Sequence, residues 1–154
     1  MSDNAGVVAP PPLIFLGFLL VGLCLDYLLS GPSLGLVSVA RAVVAVPLFA
    51  LGVSLIVAAL GRFRSAGTPP EPWKPVSALV VVGIYKFTRN PMYVGMAATY
   101  AGIAVAANSL IALALLLPVV IVMQRGVIHR EERYMTQRFG TEYTAYRARV
   151  RRWL

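Results

Sequence analysis

Long apolar stretches alternate with short polar stretches along this chain, and their lengths predict membrane-spanning helices. The apolar segments cover residues 13–29, 36–60, 92–107 and 110–128. A bilayer core of about 30 Å is crossed by roughly 20 helical residues, and each segment is of that order. Only helices or closed barrels satisfy their backbone hydrogen bonds in lipid. We therefore predict an all-α, polytopic membrane protein with about four transmembrane helices, folded as one domain over residues 1–154.

The third and fourth apolar segments are separated only by Asn108 and Ser109. So short a connection predicts a tight antiparallel helical hairpin. The third segment is rich in Gly and Ala, which lets helix backbones approach closely in lipid. The polar stretches at residues 61–91 and 129–154 then lie at the same end of the hairpin. The second stretch is predicted to be helical, with a break at Gly140 and a short final helix over about residues 141–153.

Composition agrees with this picture and gives it an orientation. Hydrophobic residues make up 58% of the chain and charged residues 13%, against about 45–50% and about 25% in soluble domains. Thirteen of the 14 Lys and Arg residues lie between residues 62 and 89 or between 125 and 152. Basic loops stay in the cytoplasm, so both polar stretches and both termini are predicted to be cytoplasmic. Basic residues beside apolar segments favour anionic membrane lipids, and we expect no nucleic-acid partner.

The first polar cluster, residues 83–95, spans the start of the third helix. Asn90 suits the helix N-cap and Pro91 its first turn. The positive end of the helix attracts anions, and Arg89 adds a fork-shaped guanidinium suited to a carboxylate or phosphate. Tyr85 and Tyr93 can stack on a ring. The same residues also suit a plain helix start with aromatic and basic anchors at the membrane interface.

The second polar cluster, residues 129–152, contains the adjacent acids Glu131 and Glu132. Helical spacing places Arg125, His129 and Glu132 on one face and predicts that Glu132 points into the protein. A carboxylate beside apolar helices is costly, which makes it a functional candidate, although both acids could simply pair with neighbouring arginines. Adjacent acids diverge by about 100° on a helix, so we expect no metal site with His129. The basic, aromatic tail could lie on anionic lipid or shield a bound ligand.

Both clusters carry recognisable motifs. The first, GIYKFTRNPMYVG at residues 83–95, resembles the G-x-Y-x-x-x-R-H-P-x-Y-x-G signature of the isoprenylcysteine carboxyl methyltransferase family. The second, REERYMTQRFGTEYTAY at residues 130–146, resembles that family's E-E-x-x-L-x-x-x-F-G-x-E-Y-x-x-Y block. The resemblance covers roughly residues 67–153, including the hairpin. Asn90 stands where the family usually has His, and an amide cannot titrate near neutral pH.

The resemblance implies an integral membrane methyltransferase that uses S-adenosylmethionine. The acceptor would be lipid-like or membrane-soluble: an isoprenylcysteine carboxylate, a thiol or a phospholipid amine. Carried over by position, the cofactor-binding residues would be Tyr85, Arg89, Asn90, Pro91, Tyr93, Gly95, His129, Glu131 and Glu132. Catalytic roles would fall to Glu132 and to Arg138, which would steer the acceptor. The alternatives are an NADPH-dependent membrane reductase of the sterol or isoprenoid type, which shares a similar C-terminal stretch, and a non-enzymatic membrane scaffold.

Overall fold

The computed structural model describes residues 4–154, and these form an all-α fold as predicted. The helices are α1 Pro11–Leu28, α2 Ser38–Ser65, α3 Pro91–Ala106, α4 Leu110–Val122 and α5 His129–Arg149. A 3₁₀ turn, Gly83–Lys86, comes shortly before α3, and a π-helical segment, Met123–Ile128, joins α4 to α5 directly. Across the described part of the chain β-pairing is limited to two isolated bridges.

Within residues 4–154, three helical stretches are long and apolar enough to cross a membrane: Pro11–Leu28, Ser38–Ser65 and the continuous Leu110–Arg149. The apolar part of the last stretch is residues 110–128, and the polar α5 extends beyond it. The fourth apolar helix, α3, is shorter, at 16 residues. Large apolar side chains are exposed along the outer faces of α1 and α2. Such faces are stable against lipid, and the chain is an integral membrane protein.

Close backbone contact holds the four apolar helices together. The helix α2 lies along α3, and α1 lies along α4. A Cβ added to Gly95 would lie 2.7 Å from the carbonyl oxygen of Gly52 on α2. A Cβ added to Gly22 would lie 2.7 Å from the Cα of Ala112 on α4. Across the predicted hairpin, the Tyr100 hydroxyl donates to the Ala112 carbonyl at 2.8 Å. The small residues of α3 therefore serve helix packing.

Two helix ends differ from the sequence prediction. The helix α2 continues beyond residue 60 to Ser65 and carries Arg62 and Arg64 in its last turn, where basic side chains suit the negative end of the helix dipole. The final helix ends at Arg149, and Val150 is already extended, with φ −117° and ψ 133°. The predicted break at Gly140 is present. Its φ of 52° and ψ of −122° are accessible to glycine but strained for other residues.

The N-terminal segment packs on the polar end of the bundle. The Ala5 amide donates to the Pro72 carbonyl at 3.3 Å, and the Val8 amide donates to the Gly126 carbonyl at 3.2 Å. Residues 1–3, where the predicted cytoplasmic N-terminus begins, lie outside the described residues. The segment that contains Ala5 and Val8 thus lies at the same end of the bundle as α5.

Candidate active site

A cleft lies where the start of α3 meets the first turns of α5, and it brings both sequence clusters together. It holds about 850 Å³ of space free of protein atoms, part of it open to solvent. One wall is formed by loop residues 69–72, 76 and 78–80. The predicted site residues that line it are Tyr85, Arg89, Asn90, Tyr93, Glu131 and Glu132.

Glu132 is held between two arginines. Its Oε1 accepts hydrogen bonds from Arg89 Nη2 at 2.8 Å and from Arg152 Nε at 2.9 Å, and its Oε2 accepts one from Arg152 Nη2 at 2.7 Å. The side chains of Glu132 and Arg89 are only 9% and 8% exposed. A buried carboxylate is tolerated when charged hydrogen-bond donors surround it. Glu132 points into the protein, as predicted, but its oxygens are already occupied.

Arg89 keeps one donor that nothing in residues 4–154 satisfies. Its Nη2 donates to Glu132, and its Nη1 donates to the Arg147 carbonyl at 3.0 Å. Its Nε is buried and has no hydrogen-bond partner among the described residues. An unpaired buried donor costs about 1–3 kcal/mol. Arg89 lines the cleft, so an anionic ligand that reaches this atom would satisfy it.

Glu131 faces the same cleft without a cationic partner. The Tyr93 hydroxyl donates to its Oε1 at 2.6 Å. Within the described range, Glu131 makes no ion pair. Burial raises the pKa of the Glu131 carboxyl to about 7; the Tyr93 hydrogen bond works against this rise, and the charge of Glu132 adds to it. A bound cation would favour the ionised form, so Glu131 suits a ligand ammonium group.

Three buried tyrosines form an aromatic wall of the cleft. The Tyr146 hydroxyl donates to the Tyr85 carbonyl at 2.7 Å, and the rings of Tyr143 and Tyr146 lie 6.1 Å apart. Burial raises the pKa of Tyr85 and raises that of Tyr143 to about 12, so both stay neutral at physiological pH. Tyr143 and Tyr146 were not among the predicted site residues. Their i, i+3 spacing, which places both on one helix face, is the signal that could have identified them.

Four predicted site residues do not line the cleft. Pro91 is buried in the first turn of α3, and Gly95 contacts α2. His129 is exposed. Arg138 is also exposed, and its Nε donates to the Val76 carbonyl, which ties the loop wall to α5.

The predicted common face that ends at Glu132 is not formed. Arg125, His129 and Glu132 were predicted to share one face, but Arg125 and His129 are exposed while Glu132 is buried. The π-helical segment Met123–Ile128 has wider turns than an α-helix, so a spacing of 3.6 residues does not carry across it from Arg125 to Glu132. His129 and Glu132 both lie in α5, where a separation of three residues leaves their side chains about 60° apart around the helix, so that one faces outward and the other inward. Such segments are often found at functional sites.

Asn90 does not cap α3 as predicted. Its side chain makes no capping hydrogen bond. Its Nδ2 instead donates to the Arg152 carbonyl at 2.8 Å. Residues 150–152 run alongside residues 88–90, with a bridge between Thr88 and Arg151. The prediction that the chain end is helical is wrong here, because Asn90 and its neighbours bind it as an extended strand.

A second, apolar crevice adjoins the cleft. It lies between the start of α1, the end of α2 and the first turns of α3. Its apolar lining is Pro11, Pro12, Ile56, Leu60, Trp73, Met92 and Met96. Met92 and Tyr93 border both spaces, as does the loop 70–72. The crevice therefore meets the polar cleft beside the Tyr93–Glu131 hydrogen bond.

Comparison with known proteins identifies one family. Residues 40–142, more than half of the chain, match the family model described as phospholipid methyltransferase. No curated protein and no solved structure matches the chain. The matched range contains both acids and the Arg89 segment but stops before the C-terminal strand. This match supports neither the reductase nor the scaffold alternative.

Proposed function

The chain belongs to the phospholipid methyltransferase family, and on that premise we propose that it transfers a methyl group from S-adenosylmethionine to a lipid-like acceptor. The observation that carries this proposal is that, within residues 4–154, one cleft contains both a guanidinium nitrogen without a hydrogen-bond partner and a carboxylate without an ion pair. The unpartnered Nε of Arg89 suits a carboxylate, and Glu131, which has no ion pair in the described chain, suits an ammonium. Together they fit the amino-acid end of the cofactor.

The remaining residues of the cleft fit the other parts of that ligand. Tyr85, Tyr143 and Tyr146 would pack against the aromatic base. When bound, the cofactor would supply an electrophilic methyl group on a positively charged sulfur. Glu132, held by two arginines, would orient Arg89 rather than meet the ligand ammonium. Arg138 would act indirectly, because its hydrogen bond to the Val76 carbonyl fixes the loop that forms one wall of the cleft.

Methyl transfer needs aligned reactants and exclusion of water more than acid–base chemistry. The loop residues Val76, Leu79 and Val80 give the cleft apolar walls beside its polar groups. Asn90 is neutral and stands where the isoprenylcysteine carboxyl methyltransferase signature has His, and it is compatible with such a reaction. The chain would therefore contribute chiefly by binding and orienting the reactants.

The acceptor would enter through the apolar crevice. The crevice lies between the ends of α1 and α2, whose outer faces are apolar and exposed. An acyl or prenyl chain there would place its head group near Met92 and Tyr93, which also line the cleft. The motif resemblance supports an isoprenylcysteine-like acceptor and the family match supports a phospholipid amine; the crevice suits the apolar chain of either.

We place this site on the cytoplasmic side of the membrane. Both basic stretches, residues 62–89 and 125–152, contribute to this end of the bundle. The positive-inside rule assigns loops of that composition to the cytoplasm. The described N-terminal segment packs at the same end.

Calorimetry with S-adenosylhomocysteine on detergent-purified protein tests the cofactor assignment. Saturable binding is expected, at least roughly tenfold weaker in Glu131→Gln because an ammonium would lose its charged partner. Glu142→Gln is the matched control, since Glu142 is exposed on the same helix. Absence of binding by the folded wild type would refute the proposal, and retention of NADPH would favour the reductase instead. Methylation of water-soluble acceptors alone would exclude the lipid-like acceptor.

A further inference from the structure

The C-terminal strand, residues 150–152, lies outside the cleft and contacts the segment that carries Arg89. The Arg89 amide donates to the Arg151 carbonyl at 2.9 Å. The Thr88 hydroxyl and the Asn90 amide group both donate to the Arg152 carbonyl, at 3.2 and 2.8 Å. Beyond the strand, Trp153 Nε1 donates to Gln124 Oε1 at 2.7 Å. None of residues 150–154 lines the cleft.

From this outer position, Arg152 reaches the buried carboxylate of Glu132. Two of its nitrogens contact the two oxygens of Glu132, at 2.9 and 2.7 Å. Arg89 approaches Oε1 of the same carboxylate through Nη2 alone. The side chain of Arg152 is 30% exposed, against 9% for Glu132. Arg152 thus makes a bidentate contact with Glu132, whereas Arg89 makes a single hydrogen bond to the same carboxylate.

We propose that Arg152 is a positioning residue that keeps the Nε of Arg89 available to the ligand in the cleft. A free carboxylate and a guanidinium prefer two parallel hydrogen bonds. Without Arg152, both oxygens of Glu132 are open to Arg89, which turns to use its Nε and Nη2 together. The Nε of Arg89, which has no partner among the described residues of the wild type, would then donate to Glu132 and would no longer be available to the ligand. The identity of the ligand group, a carboxylate, rests on the proposed function.

The strand holds Arg152 through contacts that do not need its side chain. The carbonyls of Arg151 and Arg152 accept the hydrogen bonds from residues 88–90. The donor from Asn90 is a neutral amide, so its bond does not depend on pH. Replacing the Arg152 side chain should therefore free Glu132 while the strand stays in place.

Affinity for S-adenosylhomocysteine, measured by calorimetry, tests the proposal. Arg152→Ala should weaken binding roughly tenfold or more, the usual scale for losing a hydrogen bond to a charged group. Arg152→Lys should recover only part of it, because an ammonium cannot make the two-pronged contact. Arg151→Ala is the matched control: it removes an exposed arginine from the same strand and should leave affinity unchanged.

A double-mutant cycle separates positioning from a general structural effect. If Arg152 acts through Glu132, Arg152→Ala should change affinity less than about twofold in a Glu132→Gln background. Equal losses in both backgrounds would overturn the proposal. Unchanged affinity in Arg152→Ala would also overturn it while leaving the proposed function intact. Absence of ligand binding by the folded wild type would instead refute the proposed function, and this inference with it.

A ligand-free measurement reports on the strand itself. The chain has two tryptophans, so Trp73→Phe leaves Trp153 as the only one. In that background, Arg152→Ala should leave iodide quenching of Trp153 fluorescence unchanged, because the backbone hydrogen bonds remain. Quenching that rises to the level of a Thr88→Ala, Asn90→Ala double variant would show that the strand has detached. In that case the affinity loss reflects undocking, and the positioning role is wrong.

Discussion

The Tyr93 hydroxyl donates a hydrogen bond to Glu131 Oε1 across 2.6 Å. This contact joins the first turn of α3 to the first turn of α5, and so links the two polar clusters. Burial raises the pKa of Glu131 to about 7, and the Tyr93 hydrogen bond restrains the rise. The charge of Glu131 therefore changes close to neutral pH.

Ligand affinity should rise with pH through about 7. Only ionised Glu131 pairs with an ammonium, so below its pKa the affinity for S-adenosylhomocysteine should fall roughly tenfold per pH unit. Tyr93→Phe removes a contact that lowers this pKa, which moves the midpoint to higher pH. Calorimetry from pH 5.5 to 8.5 measures both effects. Tyr100→Phe, which loses a hydroxyl contact away from the cleft, should keep the wild-type midpoint. Equal pH profiles for wild type and Tyr93→Phe would contradict this role of Glu131.

Removing the shared carboxylate should destabilise the protein. Glu132→Ala leaves Arg89 buried beside Arg152 with no counter-charge between them. Breaking a buried ion pair in this way costs about 3–5 kcal/mol. Thermal unfolding in detergent should show the loss, whereas Glu142→Ala, at an exposed position of the same helix, should change stability by less than about 0.5 kcal/mol. Equal melting temperatures for the two variants would mean that the ion pair does not stabilise the fold.

Gly95 should tolerate no side chain, although it does not line the cleft. In Gly95→Ala, the new Cβ would lie 2.7 Å from the Gly52 carbonyl oxygen. Separating two packed helices to relieve such a clash costs about 1–3 kcal/mol. Gly17→Ala, on α1, meets open space within 4 Å and should preserve or slightly raise stability. Unfolding in detergent compares the two variants, and a stable Gly95→Ala would show that α2 and α3 can separate freely.

The kink at Gly140 should be necessary for the aromatic wall. Its φ of +52° strains any residue with a side chain, although an added Cβ would meet open space within 4 Å. Gly140→Ala should therefore cost about 1–3 kcal/mol or straighten the helix, moving Tyr143 and Tyr146 out of the cleft. The expected result is weaker S-adenosylhomocysteine binding. Gly61→Ala is the control, because Gly61 is a helical glycine that faces open space. Similar affinities for both variants would show that the kink is not needed for ligand binding.

Filling the apolar crevice should separate acceptor use from cofactor binding. Leu60→Trp places a large ring in the crevice but not in the cleft, because Leu60 borders only the crevice. Methyl transfer to a long-chain acceptor should fall at least roughly tenfold while S-adenosylhomocysteine affinity is unchanged. Val57→Trp, at a position 62% exposed on the same helix, should affect neither. Undiminished transfer in Leu60→Trp would rule out this route for the acceptor.

Several features could be predicted from the sequence because they depend on local pattern. The length of the apolar segments predicted a helical membrane fold, and the short Asn108-Ser109 connection predicted the hairpin. The hairpin in turn required the two polar clusters to lie at one end. Helical spacing predicted that Glu132 points inward, and Gly140 predicted the break in α5. Each of these predictions uses residues within a few turns of one another.

Other features were decided only by the tertiary structure, because they depend on contacts between distant parts of the chain. Nothing in the local sequence shows that Arg152 shares Glu132 with Arg89, or that Asn90 binds a C-terminal strand rather than capping its own helix. Gly95 belongs to a motif, yet its neighbour is Gly52 on another helix. The family match itself ends before Arg152. Local periodicity determines which elements form, whereas long-range packing determines which donors and acceptors are left for a ligand.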